Sequence, residues 1–392
     1  MHDGAQTFPL LAARRSRRSR VLTAVISVGL AAGGVLVTAA PAGAAASWSR
    51  TSSPNPSGST GSTLSAVACP TTTSCFAVGR YTIGATTLTL AEHWNGSSWS
   101  IESTPNPGSG SANLSGVACP SPHSCFAVGS YAVGLAQNAL AEHWNGHGWG
   151  LLTAATPPNA NGVGLTGVSC PALKSCFAVG SFSTSTTTNT LAEHWYGSSW
   201  SIASSPNPGG STAASLRGVS CPSAGSCFAV GAFVAGATIK TLAEHWNGHG
   251  WGLQTPTNPG GATSATLTSV SCPATKNCFA VGNYSTGSGA KTLAEHWNGH
   301  SWSAESTSNP SPAASLNSVS CSSTNSCFAV GNSTVKNLIE HWNGNGWGTM
   351  SSPSPKHVDH LAGVSCPSLR ICFAVGGVTN TPPGKTMTLR YR

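Results

Sequence analysis

Short runs of alternating apolar and polar residues recur along this chain at a nearly constant spacing. In the first complete copy the runs are Leu64–Cys69, Cys75–Tyr81, Thr87–Trp94 and Ser98–Ser103. Each run has the length of a β-strand and is rich in β-branched or aromatic residues. Gly, Ser, Asn and Pro separate the runs. The pattern therefore predicts four strands per copy, named A to D in chain order.

Paired cysteines mark seven copies of this unit. The first cysteines of the pairs step by 50, 51, 51, 51, 49 and 45 residues. Repeats of this length form solenoids, propellers or arrays. The predicted repeats lie near 60–109, 110–160, 161–211, 212–262, 263–313 and 314–355, and the seventh combines 356–392 with 47–55. Together they make up one domain, 45–392.

The two ends of the repeat region are permuted. Ser47-Trp48-Ser49 matches the beginning of a strand D, whereas Thr388 to Arg392 matches a strand C with no strand D after it. A closed ring explains this arrangement, because the N-terminal strand then completes the last sheet. We therefore predict an all-β fold, a seven-bladed β-propeller with four antiparallel strands per blade. An open row of disulfide-pinned units or a β-solenoid is the alternative.

The layout resembles the β-propeller superfamily and, more loosely, its kelch and Asp-box members. The Gly-x-x-Trp of Gly96 to Trp99 is similar to the tail of an Asp-box. Trp94 stands where the Asp-box carries its Asp, and the double Gly of kelch occurs only at Gly376-Gly377. The resemblance covers nearly all of 47–392 and implies an architecture without implying an activity.

Residues 1–44 have the pattern of an export signal. Five arginines between Arg14 and Arg20 precede an uncharged run from Val21 to Ala40, and Ala42-Gly43-Ala44 is a small-residue cleavage site. The alternative is an uncleaved membrane anchor. We expect a secreted, extracellular protein, monomeric and free of the membrane after cleavage.

The net charge of residues 45–392 bears on which class of partner the protein binds. Residues 45–392 carry 13 Lys and Arg and nine Asp and Glu, a net charge of +4. No cluster of basic residues follows residue 50, so nucleic acid is not expected as a partner.

The cysteines of each unit flank the turn between strands A and B, with five residues between them. Export favours disulfides, and the ends of a hairpin lie within bridging range. A metal site is the competing interpretation, but each unit offers only two thiols where zinc commonly takes four ligands. We predict seven disulfides and neither a metal nor a cofactor. The predicted bridges join Cys69 with Cys75, Cys119 with Cys125, Cys170 with Cys176, Cys221 with Cys227, Cys272 with Cys278, Cys321 with Cys327 and Cys366 with Cys372.

A Glu-His-Trp triplet ends strand C in six units. Neighbouring residues on a strand point to opposite faces, so a Glu of one blade could meet a His of the next. We predict charge-assisted hydrogen bonds between blades rather than catalysis. The triplets contain Glu92 and His93, Glu142 and His143, Glu193 and His194, Glu244 and His245, Glu295 and His296, and Glu340 and His341.

The loops differ in how much they vary within the chain. The A to B and C to D turns are near-copies, whereas the B to C loops and D to A linkers differ from unit to unit, as recognition loops on a rigid scaffold do. An aromatic residue two positions after the CFAVG glycine could stack on a ligand there, or could simply pack. These candidate ligand-binding residues are Tyr81, Tyr131, Phe182, Phe233 and Tyr284.

An enzyme is the less favoured function class. Outside the triplets, residues 45–392 have only Glu102, Glu305 and Asp359 as carboxylates, and no nucleophile elbow or H-E-x-x-H pair occurs. We therefore predict a secreted, non-enzymatic binding or scaffolding module for a glycan or a cell-surface protein. The alternative is an extracellular glycan-active hydrolase or lyase of the sialidase-like propeller type, using Asp359, His360 and Arg370.

Overall fold

Each repeat folds into a four-stranded antiparallel sheet, as its alternating pattern predicts. The computed structural model describes residues 46–392 apart from 109, 288, 311–312, 335, 354–358 and 379–382. The export signal predicted at 1–44 lies outside the described residues. Within the described ranges there is no helix long and apolar enough to cross a membrane.

The strands follow one order in every blade, with A innermost and D outermost. Blades 1 to 3 contain β2 (Gly61–Thr71), β3 (Ser74–Ile83), β4 (Thr86–Trp94), β5 (Trp99–Glu102); β6 (Ala112–Ser121), β7 (Ser124–Val133), β8 (Ala136–Trp144), β9 (Trp149–Leu152); and β10 (Gly162–Ala172), β11 (Ser175–Ser183), β12 (Thr188–Trp195), β13 (Trp200–Ile202). Blades 4 and 5 contain β14 (Ala214–Ser223), β15 (Ser226–Ala235), β16 (Thr238–Trp246), β17 (Trp251–Gln254); and β18 (Ser264–Ala274), β19 (Asn277–Ser285), β20 (Ala290–Trp297), β21 (Trp302–Glu305). Blades 6 and 7 contain β22 (Ala314–Ser323), β23 (Ser326–Ser333), β24 (Asn337–Trp342), β25 (Trp347–Thr349); and β26 (Asp359–Ser368), β27 (Ile371–Val378), β28 (Lys385–Tyr391) with β1 (Trp48–Thr51).

The ring closes through the N-terminal strand. Strand β1 pairs antiparallel with β28, with Trp48 opposite Tyr391 and Thr51 opposite Thr388. Backbone hydrogen bonds join Ser47 and Arg392 in both directions. The predicted seven-bladed β-propeller is therefore confirmed, and its last blade is built from both ends of the repeat region. Blades 4 and 5 are also linked by one parallel bridge, between Ile239 and Ser264.

The apolar core is divided into seven parts, one at each contact between blades. In every CFAV segment Phe and Val face the next blade, where the Phe ring meets the aromatic residues that end strand C and begin strand D. Phe76, for example, lies 5.1 Å from Trp144 and 5.7 Å from Trp149 between ring centroids. At the contact between blades 6 and 7, Phe328 meets Tyr391 and Trp48 in the same way. Trp48 thus takes the place that the first Trp of strand D has at the other six contacts between blades.

Strand A carries a β-bulge at the same place in all seven blades. The register skips one residue after the buried Leu, so that in blade 2 Leu114 pairs with Gly129 and Gly116 with Val128. A bulge leaves one residue unpaired and redirects its side chain. The seven bulge residues are Ser65, Ser115, Thr166, Arg217, Thr268, Asn317 and Ala362.

The glycine of CFAVG is required beside this bulge. A Cβ atom on Gly129 would lie 1.9 Å from the carbonyl oxygen of Asn113, and the other six glycines face the same overlap at 1.9 to 2.1 Å. Glycine is therefore fixed there by the close approach of strand A.

Hydrogen bonds between adjacent A strands run around the ring. The backbone N–H of Cys221 donates to Ser169 of the preceding blade at 3.0 Å, and Cys69 of blade 1 donates to Ser365 of blade 7 at the same distance. Five of the seven contacts have this bond. Blades 1 and 2 carry Ala68 and Ala118 at the serine position. The contacts between blades 1 and 2 and between blades 2 and 3 therefore lack the hydroxyl acceptor.

The seven predicted disulfides are present, each joining cysteines six residues apart across the A to B turn. The buried member of each bridge is Cys75, Cys125, Cys176, Cys227, Cys278, Cys327 or Cys372, bonded in that order to Cys69, Cys119, Cys170, Cys221, Cys272, Cys321 and Cys366.

The two cysteines of a bridge differ in burial. The sequence did not predict this difference, because both cysteines flank the same turn. The second cysteine is 0% exposed in all seven blades, whereas the first keeps some contact with solvent. The cause is that successive side chains of strand B point to opposite faces of the sheet. In blade 2, Cys125 and Ala127 face blade 1 and join its core beside Phe76 and Val78. The disulfides are therefore part of the contacts between blades as well as links across a turn.

The C to D turn differs from a two-residue hairpin, since four residues separate the paired Trp94 and Trp99. Asn95 accepts hydrogen bonds from the N–H groups of Ser97 and Ser98 through its side chain, and only Gly96 has a positive φ. In this turn Asn acts through its amide oxygen.

Candidate binding face

The two faces of the ring are built from different loops. The B to C loops and D to A linkers lie on one side, here called the loop-bearing face, because strand B ends and strand C begins there. The near-identical A to B and C to D turns lie on the other side, here called the turn face. The variable segments predicted from the sequence are thus gathered on one face of the rigid ring.

A channel of about 180 Å³ runs along the ring axis, lined by residues from strand A of all seven blades. The bulge residues provide its most variable positions. Small residues beside them let the strands approach closely, since a Cβ on Gly167 would lie 3.0 Å from the Arg217 carbonyl oxygen. Arg217 is the charged side chain in this lining, which contains no carboxylate.

A second niche of about 240 Å³ lies at the seam between blades 1 and 7. It is lined by Arg80, His360, Thr63 and several glycine or small residues, and Thr63 Oγ1 lies 3.3 Å from His360 Nε2. Burial lowers the pKa of His360, Asp359 raises it and Arg80 lowers it further. His360 is therefore neutral near pH 7, and Arg80 supplies the positive charge of the niche.

The five aromatic residues predicted as ligand contacts all lie on the loop-bearing face, at the end of strand B. Each ring is half-buried and packs against a core between blades. Phe182 also borders a groove of about 380 Å³ with Pro157 and Ile202. The aromatics thus have both a packing role and an accessible edge.

The triplet glutamates are fully buried between blades, and their partners come from the linker that leaves the preceding blade, not from histidine. Ser53 Oγ lies 2.8 Å from Glu92, and Ser205 Oγ lies 2.9 Å from Glu244. Glu142 has no hydrogen-bond partner among the described residues. Backbone N–H groups of Ala155, Thr257 and Ser308 donate to the other three, which are Glu193, Glu295 and Glu340.

Burial raises the pKa of these glutamates to about 7 or 8, with the hydroxyl and N–H partners acting in the opposite direction. At Glu92 the Ser53 hydroxyl donates to the carboxyl oxygens, and the Thr386 hydroxyl, which also bonds the Pro54 carbonyl, is a second hydrogen-bond partner. Both hydroxyls lower the Glu92 pKa, but the effect of burial is larger.

The predicted pairing of Glu with His is wrong. Each triplet His lies against the Phe ring of its own blade, tilted by 34° in blade 2 and stacked in the other five, as at 4.4 Å between the centroids of Phe76 and His93. In five blades its Nε2 lies 3.0 to 3.2 Å from a serine hydroxyl of strand B. The space that the His faces is filled by the triplet Trp of the next blade. Trp144 of blade 2, for example, lies 6.4 Å from His93 of blade 1 between ring centroids. Burial lowers the pKa of all six, which are His93, His143, His194, His245, His296 and His341.

Replacing Glu142 by Gln is expected to stabilise the protein in alkaline solution. The folded-state pKa of about 8 exceeds the ordinary 4.5, so the folded state holds a proton that the unfolded state releases as pH rises from 4.5. Stability contributed by this group is complete at low pH and is lost between about pH 4.5 and 8. Gln mimics the neutral acid. Urea unfolding should show a gain above ~1 kcal/mol at pH 9 and little difference at pH 4.5.

Glu102→Gln is the control for that substitution, because Glu102 lies at the solvent-facing edge strand and should change stability little at either pH. A loss of stability in Glu142→Gln at pH 9 would show that Glu142 is ionised and paired in the folded protein.

The residues of the predicted hydrolase alternative are not brought together. Asp359 and His360 begin strand β26 on the loop-bearing face, whereas Arg370 lies just beyond its other end, on the turn face. A strand of ten residues spans about 30 Å. The seven bulge residues that line the channel were not predicted from the sequence, because they share no residue type.

Comparisons with known proteins agree on architecture alone. No family model matches the sequence, and no curated protein matches it. Among solved structures, the chain is similar to YCF48 bound to a D1 peptide, with 12% identity and a TM-score of 0.52 over 88% of this chain and 96% of that one. YCF48 from Cyanidioschyzon merolae gives 11% and 0.53 over 88% and 98%. The WD40 repeats of RRP9 give 8% and 0.56 over 88% and 98%. The likeness is one of fold.

Proposed function

We propose that this protein is a secreted, non-enzymatic scaffold that binds a polypeptide segment of a surface protein on its loop-bearing face. The observation that carries the proposal is where the seven blades differ. The cores, the turn face and the CFAVG and Glu-His-Trp segments are near-copies, whereas the bulge residues, the channel mouth and the loops of one face vary among the blades.

The chemistry of that mouth suits a peptide. Around it stand half-buried amides such as Asn113 and Asn332, which can both donate to and accept from a peptide backbone. Arg217 in the channel offers a charged donor, and the half-buried aromatic rings offer apolar contact. The solved propeller that holds a D1 peptide is a precedent for a peptide ligand on this architecture.

Two features support an extracellular setting. All fourteen cysteines are paired in disulfides, which persist in oxidising compartments, and the sequence begins with the pattern of an export signal.

A displayed library of 12-residue peptides, selected on the purified full-length chain, tests the proposal. We expect the selected peptides to bind at least tenfold more weakly to Arg217→Ser, and also to Tyr131→Ala and Tyr284→Ala. Leu369→Ser on the turn face, whose side chain is 60% exposed, is the control and should bind unchanged. Melting temperatures separate lost contacts from lost folding.

Two results would contradict this function. One is selected peptides that bind the Leu369 variant poorly and the Arg217 variant normally, which would move the site to the turn face. The other is a glycan array on which Tyr131→Ala and Tyr284→Ala abolish binding while no peptide is selected, which would make the ligand a glycan.

A further inference from the structure

The accessible charge of this protein is more positive than its formal charge. Of the nine carboxylates in 45–392, seven have 0% exposure: the six triplet glutamates and Asp359. Glu102 and Glu305 are the two that solvent reaches, and both lie at the outer edge strands of blades 1 and 5. The lysines and arginines of the described residues lie mostly on the surface. Solvent and partners therefore meet a largely cationic molecule.

Four of these cations form a regular series on the loop-bearing face. Lys240, Lys291, Lys336 and Lys385 occupy the same position in blades 4, 5, 6 and 7, near the start of strand C and one residue before a buried Thr or Asn. Blades 1 to 3 have Leu88, Asn138 and Asn189 there. We call the four residues the lysine arc.

The lysine arc adjoins the aromatic positions of strand B. Lys240 pairs across strands with Phe233 and Lys291 with Tyr284, and the Lys291 ammonium lies 6.0 Å from the centre of the Tyr284 ring. Of the two acids that solvent reaches, Glu102 lies in blade 1, and Glu305 pairs with Ala294, three residues along strand C from Lys291. The lysines lack an ion-pair partner among the described carboxylates.

We propose that the lysine arc recruits an acidic peptide segment across blades 4 to 7, with Arg217 in the channel taking one of its carboxylates. This deepens the proposed function and rests on it. A peptide fits better than a phosphate polymer, because the lysines stand singly, one per blade, between aromatic and amide groups rather than in a contiguous basic stripe. Such complementarity speeds association and selects against basic partners.

The chain offers a matched control on its turn face. Lys174 and Lys276 occupy equivalent A to B turns in blades 3 and 5, so Lys174→Gln with Lys276→Gln removes the same charge as Lys240→Gln with Lys291→Gln. The probe is a labelled 12-residue peptide of alternating Glu and Ser, with an alternating Lys and Ser peptide as its counterpart. Fluorescence anisotropy on the full-length chain at 50 and 300 mM NaCl measures binding.

We expect the Glu peptide to bind and the Lys peptide not to bind. The loop-face pair of substitutions should weaken binding about three- to tenfold, and all four together more than tenfold, with binding falling as salt rises. The turn-face pair should change it less than twofold. Melting temperatures should be unchanged in all variants, since these side chains are not in the core.

Equal losses in the two pairs of substitutions would overturn the proposal, since charge alone would then explain binding. Inorganic polyphosphate binding through the lysine arc more tightly than the Glu peptide would replace the acidic peptide with a phosphate polymer. If library-selected peptides depend on Arg217 and Tyr131 but not on the lysine arc, the acidic partner is wrong while the binding face stands. If they depend on neither, the proposed function itself fails.

Discussion

Replacing Gly129 by Ala should destabilise the propeller by more than ~4 kcal/mol or prevent its folding. The added Cβ would lie 1.9 Å from the Asn113 carbonyl oxygen and 2.9 Å from the Leu114 Cα. Both are backbone atoms of the strand lining the channel, so relief requires that strand A move and break its ladder with strand B. The φ of Gly129 is not in the left-handed region, and the effect is steric.

Gly150→Ala is the control for that substitution. Gly150 lies on strand β9, and a Cβ there would meet no atom within 4 Å, so the change should stay within ~0.5 kcal/mol. Urea unfolding followed by tryptophan fluorescence measures both. Equal stabilities of the two variants would mean that strand A does not approach strand B closely at the bulge.

Replacing Trp48 by Ala should cost about 3 to 5 kcal/mol, the usual range for a buried large aromatic residue. Trp48 is 5% exposed, and its ring lies 5.5 Å from both Phe328 and Tyr391. Unlike Trp302, which continues directly from the strand it pairs with, Trp48 belongs to a strand held to blade 7 by noncovalent contacts. Its loss should therefore also speed hydrogen exchange at Thr388 and Arg390.

Arg50→Ala tests whether that result reflects closure. Arg50 is exposed on the same strand and should change stability by less than ~0.5 kcal/mol, with exchange in β28 unaltered. If Trp48→Ala melts like the wild type, the N-terminal strand does not hold the ring together.

Repeat spacing and permuted ends were enough to predict the blades and their closure, since both follow from counting fixed residues. The side-chain alternation placed Glu and His on opposite faces of strand C, which the structure retains. The alternation could not show that the His of one blade is covered by the triplet Trp of the next blade, because that contact depends on how far adjacent blades are offset.

The channel was not predictable in the same way. Its seven bulge residues include Ser, Thr, Arg, Asn and Ala, so no residue type signals an unpaired position. The one available signal was the constant CFAVG glycine, whose need for space becomes clear only when the opposing strand is in place. The lysine arc was visible as four separate lysines, and the repeat register was needed to align them.

Every disulfide joins two cysteines six residues apart within one hairpin. Correct pairing therefore requires only a local turn and does not wait for distant parts of the chain to meet. Each bridge can form as soon as its own hairpin has formed, in any order. After denaturation without reductant, the oxidised chain keeps all seven native links and has no wrong partners to exchange, so it should refold without an isomerase.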